Sequence, residues 1–192
     1  MNPKKFLSQS AGRWFSQRTN YFLDQNQSAS SKADITIEFL AADDERVVGL
    51  CRKHNLDSSL AIGGTVQSWD NSVDWGKDKQ VGSATIVLVK DADSDTTGKL
   101  LRPQDGKVYG NYILGDDEAL TLTINNEDME AEERQWFASE NFKMRTTVVK
   151  FRDGTKQTSF YSEIRKAPPQ KDEKWEISDK QLRYKQTIFV AR

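Results

Sequence analysis

The chain has 192 residues, of which 36% are hydrophobic and 10% aromatic, so one domain with a substantial core is the expected organisation. Its formal net charge of −1 provides no global attraction for nucleic acid or for an anionic membrane surface. The sequence has one cysteine, Cys51, which excludes an internal disulfide, and it starts without an apolar run suited to a signal peptide or a membrane span. These features predict a soluble, cytoplasmic protein.

The first predicted elements are a short helix and a strand. Asn2–Ser10 reads as the helix, because Asn2 can cap it and a proline suits the first helical position. A strand then opens at Gly12, and its two-residue period places Trp14, Ser16, Arg18 and Asn20 on one face. A polar loop is expected at Gln25–Lys32, before a strand at Asp34–Ala41.

One inserted helix is predicted next, and after it the chain is almost entirely strand. The helix spans Asp43–Asn55, with acidic residues first, basic residues last and an apolar stripe. Five strands are expected after it, at Leu60–Asp70, Gly82–Lys90, Lys99–Arg102, Lys107–Leu114 and Ala119–Ile124. Three more fall within Glu132–Lys166, turning near Asn141 and at Asp153-Gly154.

About ten antiparallel strands with tight turns predict an all-β, up-and-down barrel, because closure removes exposed strand edges. A Gly63-Gly64 pair indicates a bend or bulge that curls the sheet, and Pro103-Gln104-Asp105-Gly106 is typical of a hairpin turn. The barrel is expected to occupy residues 1–166. Pro168-Pro169 ends the strand pattern, so residues 167–192 are a C-terminal extension that either adds a strand or packs outside the barrel.

The start of the first strand, Gly12-x-Trp14, is similar to the closed end of lipocalin-like barrels, where the tryptophan plugs the base under an arginine from a late strand. If Trp14 points inward, Arg18 does so as well. A buried guanidinium needs a partner, and two candidates stay open: an internal carboxylate such as Glu133, or a carboxylate on a ligand.

The strands within Glu132–Lys166 have mixed faces, which suits a sheet wrapped around a ligand with a polar head and an apolar body. Glu133 and Arg145 are candidates for a polar cluster inside the barrel. Either the two pair with each other, or Glu133 accepts N–H groups from a ligand or donates a proton to it. Trp69 and Trp75 bracket a polar segment and are either core residues or the mouth of a pocket. Strand parity places Glu133 and Trp136 on opposite faces, so one of the two is expected to point outward.

Catalytic side chains of other kinds are not indicated. Cys51 lies on an apolar helical stripe, and His54, the only histidine, stands near the end of that helix, so neither suggests a nucleophilic site. The sequence has no metal-ligand spacing and no phosphate-binding glycine loop, so no metal is expected.

Several segments together resemble the S-type phycobiliprotein lyases, also called CpcS/CpeS chromophore lyases. They are Ser10–Thr19 (SAGRWFSQRT), the Gly63 to Trp75 region, Gly98–Leu101 (GKLL), Glu133–Ser139 (ERQWFAS), Met144–Thr147 (MRTT) and Ser159–Arg165 (SFYSEIR). The resemblance runs from about residue 6 to residue 166. It implies a ten-stranded barrel similar to lipocalins and fatty-acid-binding proteins.

The resemblance also implies an activity. Such proteins bind a free phycobilin (phycocyanobilin or phycoerythrobilin) as substrate, without a prosthetic group, and attach it through a thioether to a cysteine of an apo-phycobiliprotein subunit. Some family members pair, so a homodimer is an implied expectation, and the location would be the cytoplasm or, in an alga, the plastid stroma. The alternative is a non-catalytic carrier of bilin or fatty acid.

Site roles follow from the resemblance alone. Glu133 and Arg145 would be the catalytic residues, with Glu133 facing the pyrrole nitrogens. The implied bilin-binding residues are Arg18 and Arg145 for the propionates, Trp69, Trp75 and Trp136 for the rings, and Tyr21. Family members often carry histidine at the position of Tyr21, so its hydroxyl would have to substitute for the imidazole.

Overall fold

Ten antiparallel strands close into a barrel in the computed structural model, which describes residues 1–103 and 110–167. The strands run in up-and-down order, and the first pairs with both the second and the last. Their bounds are β1 Gly12–Phe22, β2 Gln27–Leu40, β3 Ala61–Asp70, β4 Val81–Lys90, β5 Thr97–Leu101, β6 Gly110–Leu114, β7 Leu120–Asn125, β8 Met129–Ser139, β9 Phe142–Phe151 and β10 Lys156–Arg165. The predicted fold class is confirmed.

The helix α1, Pro3–Ser10, closes one end of the barrel. The Asn2 side chain accepts a hydrogen bond from the backbone N–H of Lys5 at 2.8 Å and so caps the helix as predicted. Phe6 and Leu7 are buried in the largest apolar cluster, whose other members come from β4 to β7: Leu88, Leu100, Tyr112, Leu114, Leu120 and Leu122. The lumen is therefore filled with apolar side chains at this end.

The helix α2, Glu45–Lys53, packs on the outside of the barrel. Its buried side chains Val47, Leu50 and Cys51 lie against the outward-facing residues Val87 and Leu101 of β4 and β5. Cys51 is fully buried in this cluster, and burial raises the pKa of its thiol. Packing rather than nucleophilic chemistry explains this cysteine.

Two stretches differ from the sequence-based expectations or refine them. The polar loop predicted over Gln25–Lys32 is wrong, because the chain turns at residues 23–26 and most of the stretch is the first half of β2. Its small hydroxyl residues pair with β1, as in the contact between Thr19 and Ser30 hydroxyls at 3.3 Å. The glycine pair does mark a bulge, between Ala61 and Gly63, and a side chain at Gly63 would meet the Leu40 carbonyl at 2.6 Å.

Some expectations fall on residues outside the described ranges. They include the hairpin turn after Pro103 and nearly all of the C-terminal extension, from Pro168 onward. Within the described ranges, no helix combines the length and the apolar character that crossing a bilayer requires.

Candidate ligand-binding site

The base of the lumen is a tryptophan under an arginine. Trp14 is completely buried, and its indole N–H donates to the Ser10 carbonyl at 2.8 Å. The guanidinium carbon of Arg165, from the last strand, lies 4.1 Å from the centre of the Trp14 ring. Arg165 also donates to the carbonyls of Gln9 and Ala11, both at 2.6 Å, so it ties the end of the barrel to the C-terminal end of α1. The predicted plug is present.

Above this base, the inner faces of β1, β10, β9 and β8 form a polar wall with a defined register. One level of the wall consists of Ser16, Glu163, Lys143 and Phe137, which are successive cross-strand partners. The next level consists of Arg18, Tyr161, Arg145 and Gln135. Because side chains two residues apart share a face, both levels point into the lumen together with Trp14.

Glu163 is the centre of a buried ion network in this wall. Its side chain is 1% exposed, and its two oxygens lie 2.9 Å from Lys143 Nζ and 2.9 Å from Arg145 Nη2. Burial alone would raise the pKa of Glu163, but the two cations outweigh burial and hold that pKa below its ordinary value. Burial lowers the pKa of Lys143, and Glu163 offsets part of that effect. The network is fixed and already charge-paired.

Glu133 contacts the same arginine more loosely. Its Oε2 lies 3.5 Å from Arg145 Nη1, whereas its Oε1 accepts a 2.7 Å hydrogen bond from the Gln135 amide. The salt bridge between Glu133 and Arg145 is therefore present but long. Burial lowers the pKa of Arg145, yet Glu133 and Glu163 outweigh it, so the net shift is upward and the guanidinium stays charged. Arg145 Nε is buried and has no hydrogen-bond partner among the described residues.

Arg18 has a different environment from Arg145. Its Nε donates to the Ser31 hydroxyl at 3.3 Å, and its guanidinium carbon lies 5.9 Å from the centre of the Tyr161 ring. Within residues 1–103 and 110–167, no carboxylate pairs with it. The internal partner that the sequence left open, Glu133, instead contacts Arg145.

A cavity of about 270 Å³ opens beside this wall. Its lining residues come from β1, β2, β3, β9, β10 and the loop between β3 and β4: Ser16, Arg18, Ser31, Lys32, Ala33, Ile35, Gln67, Trp69, Asn71, Gln80, Arg145 and Tyr161. Trp69 forms the aromatic side, lying directly over Gly82, where an added Cβ would come within 2.4 Å of its ring. The cavity thus offers two guanidiniums, a tryptophan and a phenol to one ligand.

The expected site residues separate into two groups. Arg18, Trp69 and Arg145 line the cavity, and Glu133 contacts Arg145 from the same inner face. Trp136 lies between Gln135 and Phe137, which face the lumen, so it faces outward. The prediction that Trp136 lines the pocket is therefore wrong.

Tyr21 and Trp75 also lie outside the cavity wall. Tyr21 has the opposite parity to Arg18 and is 45% exposed on the outer surface, so the position expected for its hydroxyl is wrong. Trp75 is 91% exposed on the loop between β3 and β4, whose two ends, Asn71 and Gln80, do line the cavity. The indole of Trp75 itself does not line the cavity.

Three residues of the site were not identified from the sequence: Lys143, Tyr161 and Glu163. The last two lie in a segment quoted above only as a motif, Ser159–Arg165. The sequence indicates that β9 and β10 form a hairpin, but the pairing of Arg145 with Tyr161 and of Lys143 with Glu163 follows only once the turn after Phe151 is known to be centred on Asp153.

Two further features of the described part of the chain concern the metal-ligating types of side chain and the histidine. No group of three or more histidine, cysteine, aspartate or glutamate side chains there could hold a metal ion. His54 stands at the end of α2, where Nε2 lies 3.0 Å from the Arg102 carbonyl, away from the cavity.

Comparisons with known proteins agree on one family. Residues 2–166 match the family model described as CpeS-like protein. A chromophore lyase CpcS/CpeS from Thermosynechococcus vestitus is 42% identical over 169 residues, which are 86% of this chain and 93% of that protein. A phycocyanobilin lyase subunit CpcS from a Picosynechococcus species is 36% identical over 168 residues, covering 84% of this chain and 85% of that protein.

A solved structure supports the same relationship. The S-type phycobiliprotein lyase CPES from Guillardia theta superposes with a TM-score of 0.74 and is 28% identical. The match covers 88% of this chain and 94% of that chain. The similarity therefore extends over most of both chains.

Proposed function

This chain belongs to the CpeS-like protein family, and from that premise we propose that it is a chromophore lyase, which binds a free phycobilin in its barrel and attaches it to an apo-phycobiliprotein. The observation that carries the proposal is the cavity beside Arg18 and Arg145, in a barrel whose relatives are chromophore lyases. Phycocyanobilin is the proposed substrate, since one relative is a phycocyanobilin lyase subunit.

The cavity has the chemistry that a bilin needs. A bilin has two propionates, four flat conjugated rings and pyrrole N–H donors. Arg18 has no internal counter-ion among the described residues, so it can take a propionate without losing a salt bridge. Arg145 can take the second propionate by exchanging its long 3.5 Å contact with Glu133 while keeping its 2.9 Å contact with Glu163. Trp69 supplies a surface for a ring.

Glu133 is the residue that we assign to keeping the pyrrole nitrogens of the bilin protonated. Once Arg145 turns to a propionate, Glu133 retains its 2.7 Å hydrogen bond from Gln135 and has an oxygen available to accept from pyrrole nitrogens. A carboxylate there favours the protonated, more electrophilic bilin. In this scheme Glu133 and Arg145 act on the substrate, and Glu163 and Lys143 hold Arg145 in place.

The covalent step needs no nucleophile from this chain. The S–H bond of the partner's cysteine breaks, its sulfur adds to the ethylidene group of ring A to form a C–S bond, and the electron pair of the double bond takes up a proton, which balances the one that the thiol releases. No group leaves, and no oxidant or reductant is consumed. The chain's contribution is to hold the bilin extended, shield it and present ring A. The enzyme would work where its partner is made, in the cytoplasm or an algal plastid stroma.

The test is to incubate the protein with phycocyanobilin and an apo-phycobiliprotein subunit, denature the mixture, and measure the bilin absorbance that stays with the subunit. A lyase gives a covalent adduct well above the spontaneous background and with the spectrum of the native subunit. Replacing the target cysteine of the subunit by serine is the control, and it should abolish the adduct. A carrier of bilin or fatty acid would give no increase over background, and that result would refute the proposal.

A further inference from the structure

The two arginines of the cavity lie on the strands on either side of one aromatic residue. Arg18 on β1 and Arg145 on β9 are both cross-strand partners of Tyr161 on β10. Their guanidinium carbons lie 5.9 Å and 3.9 Å from the centre of the Tyr161 ring. Neighbouring strands are about 4.8 Å apart, so the two arginine backbones are separated by roughly 10 Å. All three side chains line the same cavity.

The guanidiniums differ in what restrains them apart from Tyr161. Arg145 is held by Glu163 at 2.9 Å and by Glu133 at 3.5 Å. Arg18 has the Ser31 hydroxyl at 3.3 Å and no carboxylate partner among the described residues. The aromatic face is thus a principal contact of Arg18 and a shared contact of the pair. An aromatic ring between two guanidiniums attracts both through its quadrupole, and this attraction opposes their movement into solvent.

We propose that Tyr161 is the positioning residue that makes this cavity specific for a ligand with two carboxylates, by fixing Arg18 and Arg145 at a set separation. The inference rests on the proposed function and deepens it, since it names the feature of the bilin that the site selects. The ring acts through its face, so the phenol oxygen is dispensable. Without the ring, Arg145 keeps its contact with Glu163, whereas Arg18 loses its contact with the Tyr161 face. The two guanidiniums are then no longer held at a separation that suits two carboxylates of one ligand.

The probes that test this are phycocyanobilin and its dimethyl ester, which has the same rings but no carboxylates. The quantity measured is the ratio of the ester's dissociation constant to that of the free acid, from absorbance titrations. Taking the ratio removes any change in packing against the rings, as in a double-mutant cycle. The wild-type protein and Tyr161→Phe should prefer the free acid equally. Tyr161→Leu, with similar apolar character but no ring, should lower the preference about tenfold.

The controls separate a positioning role from a structural one. Urea unfolding curves show whether both variants are folded, and the ratio of dissociation constants is measured only under conditions in which they are. The inference is wrong if Tyr161→Leu retains the wild-type preference, or if Tyr161→Phe loses it as fully as the leucine variant does. Neither result bears on the lyase proposal. If the wild-type protein binds bilin with the expected ratio but gives no adduct with an apo-subunit, the lyase proposal fails and the role of Tyr161 in binding stands.

Discussion

Replacing Glu163 with glutamine should strongly destabilise the barrel. The carboxylate is 1% exposed and lies 2.9 Å from both Lys143 Nζ and Arg145 Nη2, so the amide leaves two buried cations with one distant counter-ion, Glu133. Breaking a buried ion pair by removing one partner costs about 3–5 kcal/mol. For a chain of this size, about 2–4 °C of Tm are lost per kcal/mol, so Tm should fall by about 6–20 °C.

The assay is thermal unfolding for Tm and urea unfolding for the free energy, both followed by tryptophan fluorescence, with Glu130→Gln as the matched control. Glu130 also faces a cation across a strand pair, Lys150 at 3.4 Å, but both side chains are about half exposed. Exposed pairs contribute little, so the control should stay within about 0.5 kcal/mol of wild type. If Glu163→Gln also stays within about 1 kcal/mol, the ion network does not support the fold as argued.

The stability lost on replacing Glu163 with glutamine should also depend on pH in a defined direction. Because the pKa of Glu163 is depressed in the folded protein, its contribution is present above the ordinary glutamate pKa of about 4.3 and is lost as the pH falls through the folded value. The unfolding curves of wild type and variant should therefore converge in acid. Without Glu163, the pKa of Lys143 falls further below its ordinary value, so the variant should recover stability as the pH rises. A loss that is constant from acid to alkaline pH would contradict this.

Three further predictions concern the cavity. Arg145→Gln should weaken phycocyanobilin binding about 10- to 100-fold in an absorbance titration and reduce transfer, because a charge-assisted hydrogen bond of about 1.5–3 kcal/mol is lost; a folded variant with normal transfer would contradict its ligand role. Gly82→Val should displace the Trp69 ring, since a Cβ would meet it at 2.4 Å, and the expected readout is a shifted tryptophan emission with weaker bilin binding; unchanged spectra and affinity would argue against the wall. Trp69→Ala should weaken bilin binding about 5- to 30-fold, whereas Trp136→Ala, on the outer face, should leave it unchanged, and the reverse order would refute the assignment of faces.

Much of the barrel could be derived from local pattern. The alternation around Trp14, the spacing of turn signals and the cap at Asn2 each depend on neighbours within a few residues, and each was predicted. The same reasoning placed Arg18 on the face of Trp14 and showed that Glu133 and Trp136 could not share a face. It failed at Gln27–Lys32, because short polar residues there are typical of loops, and only pairing with β1 keeps them extended.

The site was harder to derive because it depends on which residues meet across strands. An Asp-Gly pair suggests a two-residue turn, which would place Ser162 opposite Arg145. The turn instead has three residues, Arg152 to Gly154, closed by the Phe151 N–H donating to the Thr155 carbonyl at 2.9 Å, with Gly154 at φ 91°. That single extra residue changes which partner stands opposite Arg145, and it places Tyr161 there.

The sequence by itself determined the family resemblance, the strand order and the shared face of Trp14 and Arg18, because each rests on local periodicity or on motifs in a fixed order. Tertiary structure alone decided that Glu163 is the carboxylate between Lys143 and Arg145, that Arg18 has no internal carboxylate partner in the described ranges, that the face of Trp14 and Arg18 is the inner one, and that Trp136 rather than Glu133 faces outward. Register and closure bring together residues far apart in the chain. A one-residue change in either would assign different partners to every charge in the lumen.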